Sequence, residues 1–259
     1  MKPDYGIDAP GVVRNLAVIS GLLLLVAVSA FLGYLPRQLV WHPTSEITIG
    51  FPLTLEPLFA GIGLLVGAAW MYFGSRYGKV REREKFLDHV RWRGDERVLD
   101  VGCGRGLLLV GAAHRLEKGI AIGIDIWQAE DLSGNRPQVP LENAGIEGVG
   151  ERVAVSTADM RKLPFRDGSF DLVTSRAAIH NLYDAPDRDQ AIREIARVLR
   201  PGGGALILDI RHLSQYARVF REHGCPDVKL LDSKLVSALT ALVTFGALRP
   251  NTILVRKED

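Results

Sequence analysis

A glycine-rich segment near the middle of the chain is the first feature whose residues could bind a ligand. It reads Asp-Val-Gly-Cys-Gly-Arg-Gly over residues 100–106 and follows the apolar residues Val98 and Leu99. An apolar run of this kind is typical of a buried parallel strand, and residues 107–118 have helical composition. Glycines let the backbone turn sharply and approach a ligand closely. The segment therefore predicts a ligand-binding turn between a strand and a helix.

The spacing of the glycines distinguishes two classes of cofactor. A dinucleotide fingerprint requires G-x-G-x-x-G, and Leu107 stands where its third glycine should be. The chain instead has G-x-G-x-G, two residues after Asp100. In this it resembles the class I S-adenosylmethionine-dependent methyltransferases. The resemblance implies that S-adenosylmethionine is the cofactor and that Asp100 orients its amino group.

Acidic residues at the ends of two further predicted strands agree with this cofactor. Asp125 ends a strand over residues 120–125, where a carboxylate can accept hydrogen bonds from ribose hydroxyls, although a helix cap is an alternative. The resemblance implies that Asp159 binds the adenine amino group and that the Met160 amide reaches a ring nitrogen. The complete set assigned to the cofactor is Asp100, Gly102, Cys103, Gly104, Gly106, Asp125, Ile126, Asp159, Met160 and Ser175.

A second group of polar residues follows the fourth predicted strand, over residues 170–175. It contains Arg176, His180, Asn181 and Tyr183, and open α/β sheets bind ligands at the carboxyl ends of their strands. His180 is the candidate base because imidazole titrates near neutral pH, and Arg176 is the candidate for holding an anionic acceptor. A structural histidine and a surface ion pair are the alternative interpretations.

Strand and helix patterns alternate from Val98 to the end of the chain. This alternation predicts a parallel sheet with helices on both faces. The resemblance implies a Rossmann-like, seven-stranded sheet whose last strand, over residues 252–255, is antiparallel. The phrase Leu-Pro-Phe-Arg-Asp-Gly-Ser-Phe-Asp at residues 163–171 is similar to the quinone-biosynthesis and related small-molecule methyltransferases. A helix over residues 189–200, followed by a Pro-Gly turn, matches the same family.

Two uncharged apolar runs precede this domain, at residues 15–35 and 57–75. At about 1.5 Å per residue, each can cross the roughly 30 Å hydrocarbon core of a bilayer. A cleaved signal peptide is the alternative for the first run, but the second run favours a transmembrane helical hairpin. We therefore predict a membrane anchor over residues 1–78 and a methyltransferase domain over residues 79–259.

Basic residues predict the orientation of this hairpin. The connection between the runs has Arg37 as its one strong positive charge, whereas Arg76, Lys79, Arg81 and Arg83 follow the second run. The positive-inside rule then predicts an integral protein of the cell membrane with both termini and the catalytic domain in the cytoplasm. S-adenosylmethionine would be found on the same side.

Composition and charge argue against several other classes of protein. The 259 residues carry a formal net charge of +2, without the basic stripe of a nucleic-acid-binding protein. Cys103 and Cys225 suggest neither a disulfide framework nor a metal cluster, so no metal is expected. The uncharged run at residues 235–248 is too short to span a bilayer and suits core packing or an entrance for an apolar acceptor. The oligomeric state is not indicated.

Together these features predict a membrane-anchored, S-adenosylmethionine-dependent methyltransferase. A membrane tether raises the effective concentration of a membrane-soluble acceptor, so a lipid-like or quinone-like molecule is the first hypothesis. Three alternatives stay open. These are a soluble metabolite as acceptor, a membrane-protein side chain as acceptor, and a scaffold that binds S-adenosylmethionine without turnover.

Overall fold

The computed structural model describes residues 2–128, 132–231 and 251–259. The chain divides into two compact units. The larger contains the chain up to Tyr5, then Lys79–Gln128, then the chain from Asn135 onward. The smaller contains Gly6–Gly78 and a short segment that precedes Asn135. The residues before Gly6 therefore belong to the larger unit.

The smaller unit is a helical hairpin with a two-stranded antiparallel sheet. Its elements are α1 (Pro10–Phe31), β1 (Gln38–Trp41), β2 (Ile49–Pro52) and α2 (Leu55–Phe73). The two helices pack together, and the Ser20 hydroxyl donates a 2.7 Å hydrogen bond to the Gly61 carbonyl. A side chain at Gly61 would meet Leu24 at 2.9 Å, so this glycine permits the close approach of the helices.

Both helices of this unit are long and apolar enough to cross a membrane by length and composition. They are Pro10–Phe31 and the run Leu55–Leu87, whose last residues, from Lys79, belong to the larger unit. Only 11% and 17% of their most apolar windows are buried. Helix α1 begins before the predicted span because Pro10 suits a first helical turn. It ends before residue 35, where Gly33 has a φ of +81°.

The larger unit is built on a mixed sheet of seven strands. They are β3 (Arg97–Val101), β4 (Ile120–Asp125), β5 (Val153–Thr157), β6 (Phe170–Arg176), β7 (Leu199–Asp209), β8 (Asp227–Leu230) and β9 (Asn251–Arg256). Their order is β5-β4-β3-β6-β7-β9-β8. Strands β3 to β7 run parallel, and β9 pairs antiparallel with both β7 and β8. The seven-stranded sheet and its antiparallel last strand are confirmed.

Helices flank this sheet. They are α3 (Lys79–Leu87), α4 (Leu107–Ala113), α5 (Gln138–Ile146), α6 (Ala185–Val198) and α7 (Leu213–Glu222). Helix α6 buries Ile192, Ile195 and Ala196, at the three- and four-residue spacing of one helix face. Fully burying a large aliphatic side chain contributes roughly 1.5–3 kcal/mol, so this face holds α6 on the sheet.

Two helix boundaries differ from the predicted ones. Helix α4 ends at Ala113, short of residue 118, because the Gly94 carbonyl accepts the amides of Glu117 and Lys118. Helix α6 occupies Ala185–Val198 instead of residues 189–200, since Pro186 suits the first turn. The uncharged run at residues 235–248 lies outside the described residues.

Replacing Gly102 with alanine should destabilise the larger unit. Gly102 has a φ of +69°, and an added Cβ would lie 2.3 Å from the Ala178 Cβ. We expect Gly102→Ala to lower the free energy of unfolding by more than about 2 kcal/mol. Gly145 lies within α5 with no atom near its missing Cβ, so Gly145→Ala should change it by less than about 1 kcal/mol. Thermal unfolding of both variants in detergent tests the requirement for glycine at position 102. Equal melting temperatures for the two variants would contradict it.

Candidate active site

The candidate site lies where the strand order of the sheet reverses. Chain order proceeds from β3 outward through β4 and β5 on one side, and through β6 and β7 on the other. Open α/β sheets bind ligands at the carboxyl ends of the strands at such a point. The segments that leave β3, β4, β5 and β6 here carry the residues that the sequence singled out.

The glycine loop after β3 has a backbone that other residues rarely adopt. The φ angles of Gly102, Gly104 and Gly106 are +69°, +51° and +85°. A Cβ at Gly106 would lie 2.8 Å from the Pro140 Cβ. The loop therefore needs glycine both for its conformation and for its close packing.

Asp100 is buried beneath this loop. Its side chain accepts a 3.0 Å hydrogen bond from the Thr174 hydroxyl, and the residue is 2% exposed. Burial raises the pKa of Asp100 to about 7, and the Asp125 carboxylate adds to the rise while the Thr174 hydrogen bond opposes it. A cationic group beside Asp100 would favour its charged form. The amino group of S-adenosylmethionine has this chemistry.

Asp125 ends β4 and binds the glycine loop. It accepts hydrogen bonds from the Gly104 amide (2.8 Å) and the Trp127 amide (2.6 Å). The Asn135 side-chain amide donates to the same carboxylate at 3.3 Å. Within the described part of the chain, the buried Oδ1 of Asn135 has no hydrogen-bond partner. An unpaired buried acceptor costs roughly 1–3 kcal/mol, so a hydroxyl donor of a ligand such as ribose fits here.

Three further predicted cofactor residues follow β4 and β5. Ile126 is 49% exposed, as an apolar surface beside Asp125. Asp159 is paired with Arg161 at 2.6 Å, and hydrogen bonding from that guanidinium lowers the pKa of Asp159. The Cε of Met160 lies 3.7 Å from the position of a Cβ on Gly102, beside the glycine loop.

Ser175 and Cys103 have side chains that point into the protein. The Ser175 hydroxyl donates a 2.8 Å hydrogen bond to the Val101 carbonyl. Cys103 packs on Gly123, and burial raises the pKa of its thiol well above the ordinary value. These side chains support the loop, so contact with a cofactor would come from their backbone.

A buried aspartate orients His180. The ring Nδ1 of His180 lies 2.6 Å from Oδ1 of Asp209, the last residue of β7, and the His180 amide donates to Oδ2 at 3.0 Å. The Tyr216 hydroxyl donates to that same Oδ2 at 3.1 Å. The carboxylate requires a proton on Nδ1, which leaves the lone pair of the neutral ring on Nε2. No hydrogen bond to Nε2 is formed among the described residues.

Two titratable residues, Tyr216 and His212, lie near the dyad formed by His180 and Asp209. Burial, and then the Asp209 charge, raise the pKa of Tyr216, so its hydroxyl stays a hydrogen-bond donor. Burial and the positive charge of Arg188 lower the pKa of His212. Asp209 was not predicted as a site residue, although it is the last residue of β7, as Asp125 is of β4.

The other polar residues after β6 are arranged differently. Arg176 is 3.4 Å from Glu82 of α3, so it forms an ion pair, and its contact with an acceptor stays a prediction. Tyr183 is 94% exposed. Ala177 and Trp127 have φ angles of +51° and +62°, which non-glycine residues rarely adopt. Backbone strain of this kind clusters at functional sites, and here it lies on both sides of the glycine loop in the sheet order.

Residues 99–207 match the family model of a methyltransferase domain. This part of the chain is a methyltransferase domain. The match begins in β3, includes the glycine loop and His180, and ends just before Asp209. This match agrees with the S-adenosylmethionine cofactor that the glycine loop predicts.

Curated relatives match about half of the chain. Methyltransferase GfsG of Streptomyces halstedii is 35% identical over 130 residues, 50% of this chain and 43% of its own length. The ubiquinone/menaquinone biosynthesis C-methyltransferase UbiE of Geobacter sulfurreducens is 33% identical over 130 residues, 50% and 47%. A phosphatidylethanolamine N-methyltransferase of Cereibacter sphaeroides is 35% identical over 142 residues, 54% and 64%. The chain thus spans about half the length of the curated relatives it matches.

A solved structure has the same fold. A geranyl diphosphate methyltransferase in complex with S-adenosylmethionine superposes with a TM-score of 0.54 at 17% identity. The alignment covers 75% of this chain and 91% of that chain. The predicted Rossmann-like methyltransferase fold is therefore confirmed.

Affinity for S-adenosylmethionine should rise with pH. Asp100 has a pKa of about 7, so raising the pH from about 6 to about 7.5 ionises it, while an α-amino group stays mainly protonated. Calorimetric titration should show a falling Kd over this range. Asp100→Asn should remove the pH dependence and weaken binding about tenfold at the upper pH.

A second variant tests whether the pH dependence of the Kd comes from Asp100 or from another titrating group. The Thr174 hydrogen bond lowers the pKa of Asp100, so Thr174→Val should move the pH profile of the Kd upward. A profile that is identical in wild type, Asp100→Asn and Thr174→Val would show that Asp100 does not sense the cofactor.

Proposed function

We propose that the protein is a membrane-anchored, S-adenosylmethionine-dependent methyltransferase acting on a small apolar, lipid-like or quinone-like acceptor. The carrying observation is the position of the oriented histidine beside the glycine loop. Ala178 contacts Gly102, and His180 follows two residues later with its Nδ1 bound by Asp209. A candidate base and the candidate cofactor loop therefore lie on neighbouring segments of one unit.

Methyl transfer is an in-line displacement in which positioning can supply roughly 7–11 kcal/mol. S-adenosylmethionine supplies an electrophilic methyl group when it is bound. His180 would accept a proton at Nε2 from an acceptor hydroxyl or acidic carbon as that atom attacks. Asp209 would stabilise the imidazolium that forms, and Tyr216 holds the carboxylate in position.

Two observations favour an acceptor that partitions into membranes. The smaller unit has two apolar, largely exposed helices of membrane-spanning length. Relatives of this domain are named for methylation of quinones and of phosphatidylethanolamine. A soluble metabolite, a membrane-protein side chain and a scaffold without turnover are the alternatives that the experiments below distinguish.

The ends of the hairpin support a topology with both termini on one side. Tyr5 and Lys79, which flank residues 6–78, both belong to the larger unit, and the Lys79 ammonium donates a 2.9 Å hydrogen bond to the Tyr5 carbonyl. A chain that leaves this unit at Tyr5 and returns at Lys79 must cross a bilayer an even number of times. The basic residues after α2 favour the cytoplasm for this side.

Loss of either dyad residue should abolish transfer without abolishing cofactor binding. Proteoliposomes with methyl-labelled S-adenosylmethionine and a bacterial lipid extract should yield labelled product in the organic phase. His180→Ala and Asp209→Asn should lower this rate about 100-fold or more, while the Kd for S-adenosylmethionine changes less than about twofold. Tyr183→Phe, at an exposed position, is the matched control.

Each rival function has its own result in this assay. Label that stays in the aqueous phase after addition of a cytosolic extract supports a soluble acceptor. Label that migrates with protein supports a side-chain acceptor. Binding of S-adenosylmethionine with no labelled product from any extract supports the scaffold and contradicts the proposal.

Cysteine labelling tests the proposed topology. The native thiols, Cys103 and Cys225, are both buried, so background labelling is low. A membrane-impermeant maleimide added to intact cells should label Ser45→Cys, in the loop between α1 and α2, but not Lys2→Cys. Permeabilisation should expose Lys2→Cys. The reverse pattern, or equal labelling of both in intact cells, would contradict the hairpin with cytoplasmic termini.

A further inference from the structure

We infer that the two-residue segment Asp4–Tyr5, before the first apolar helix, is a working part of the cofactor site, with Asp4 as a positioning residue for the glycine loop. None of the residues predicted from the sequence lies in this segment. The inference concerns cofactor binding and goes beyond the proposed function, because it depends neither on the acceptor nor on turnover.

The backbone of Asp4 exchanges two hydrogen bonds with the buried side-chain amide of Asn143. The Asp4 amide donates to Oδ1 of Asn143 at 2.9 Å, and Nδ2 of Asn143 donates to the Asp4 carbonyl at 2.9 Å. Asn143 lies in α5 and is 2% exposed. Since a buried amide needs its hydrogen bonds, the N-terminal segment satisfies polar groups that the domain could not leave unpaired.

The same asparagine holds the glycine loop. Its Nδ2 also donates a 2.9 Å hydrogen bond to the carbonyl of Arg105, the residue between Gly104 and Gly106. The Arg105 guanidinium in turn binds Asp4. Its Nε donates to the Asp4 carbonyl at 2.8 Å, and its Nη2 lies 2.8 Å from the Asp4 carboxylate. Asp4, Asn143 and Arg105 therefore form a closed triangle, one corner of which is the glycine loop.

Tyr5 anchors the segment to the rest of the unit. It is 6% exposed, and its hydroxyl donates to Oε1 of Glu147 at 2.5 Å. Arg83 binds both oxygens of Glu147 at 3.1 Å, and its guanidinium lies 5.8 Å from the centre of the Tyr5 ring. Burial opposes ionisation, but hydrogen bonds from Arg83 and Tyr5 outweigh it and lower the pKa of Glu147. The carboxylate stays charged and Tyr5 stays fixed, which places Asp4 against the loop.

A glycine-rich loop gains most from such external support. Glycine has the largest conformational freedom of any residue, so a ligand that orders a loose loop loses binding free energy. Arg105 is the loop residue with a side chain that can be held from outside, and it is only 12% exposed. By fixing Arg105, Asp4 prepares the loop for S-adenosylmethionine without contacting it.

Variants of Asp4 test this inference in the full-length, detergent-solubilised chain. Asp4→Ala should raise the calorimetric Kd for S-adenosylmethionine about threefold to tenfold, and Asp4→Asn, which keeps an acceptor oxygen, should raise it less. The Asp4 side chain is 56% exposed, so the melting temperature of the ligand-free protein should stay within about 2 °C. Lys2→Ala, at an exposed neighbouring position, should leave both values unchanged.

A double-mutant cycle distinguishes positioning from general destabilisation. Arg105→Ala should raise the Kd, and adding Asp4→Ala to it should cause no further rise, because the two side chains act through one contact. An unchanged Kd in Asp4→Ala, strictly additive effects, or a lowered melting temperature with an unchanged Kd would each overturn the inference. A wild-type chain that binds S-adenosylmethionine but transfers no methyl group would contradict only the proposed function.

Discussion

The close approach of the glycine loop to the segment after β6 is the constraint on which the site depends. Gly102 and Ala178 are so near that the Cβ of any other residue at position 102 would collide with Ala178. This contact brings together the two chain segments that follow the neighbouring strands β3 and β6. Without it, the loop proposed to bind the cofactor and the histidine proposed as the base would be separate features of the sheet.

Three aspartates lie at or beside the carboxyl ends of strands, and their different surroundings suit them to different roles. Asp100 is buried beside one hydroxyl donor, and burial raises its pKa to about 7. Asp125 accepts two backbone amides and a side-chain amide. Asp209 accepts from an imidazole, a phenol and the His180 and Ile210 amides. These surroundings suit the three carboxyls to a cation, to hydroxyls and to an imidazolium respectively.

The sequence predicted features that depend on local pattern. The glycine loop is a short-range signal, because glycine spacing reflects local geometry, whereas the antiparallel last strand was implied by the resemblance to the methyltransferases. It did not predict the pairing of His180 with Asp209, 29 residues apart, or of Asp4 with Asn143, 139 residues apart. Such contacts depend on which elements the fold brings together. The early end of α4 was missed for the same reason, since the distant Gly94 carbonyl accepts the amides of Glu117 and Lys118, which lie in the predicted continuation of the helix.

The position of β9 between β7 and β8 has a consequence for the order of events during synthesis. Strand β7 has no β9 to pair with until residues 251–256 leave the ribosome. Asp4 likewise cannot form its hydrogen bonds until Asn143 has been synthesised, 139 residues later in the chain. At about 5–20 residues per second, that wait is on the order of ten seconds. Helices α1 and α2 emerge well before then. Translation therefore completes the apolar hairpin while the larger unit is still incomplete.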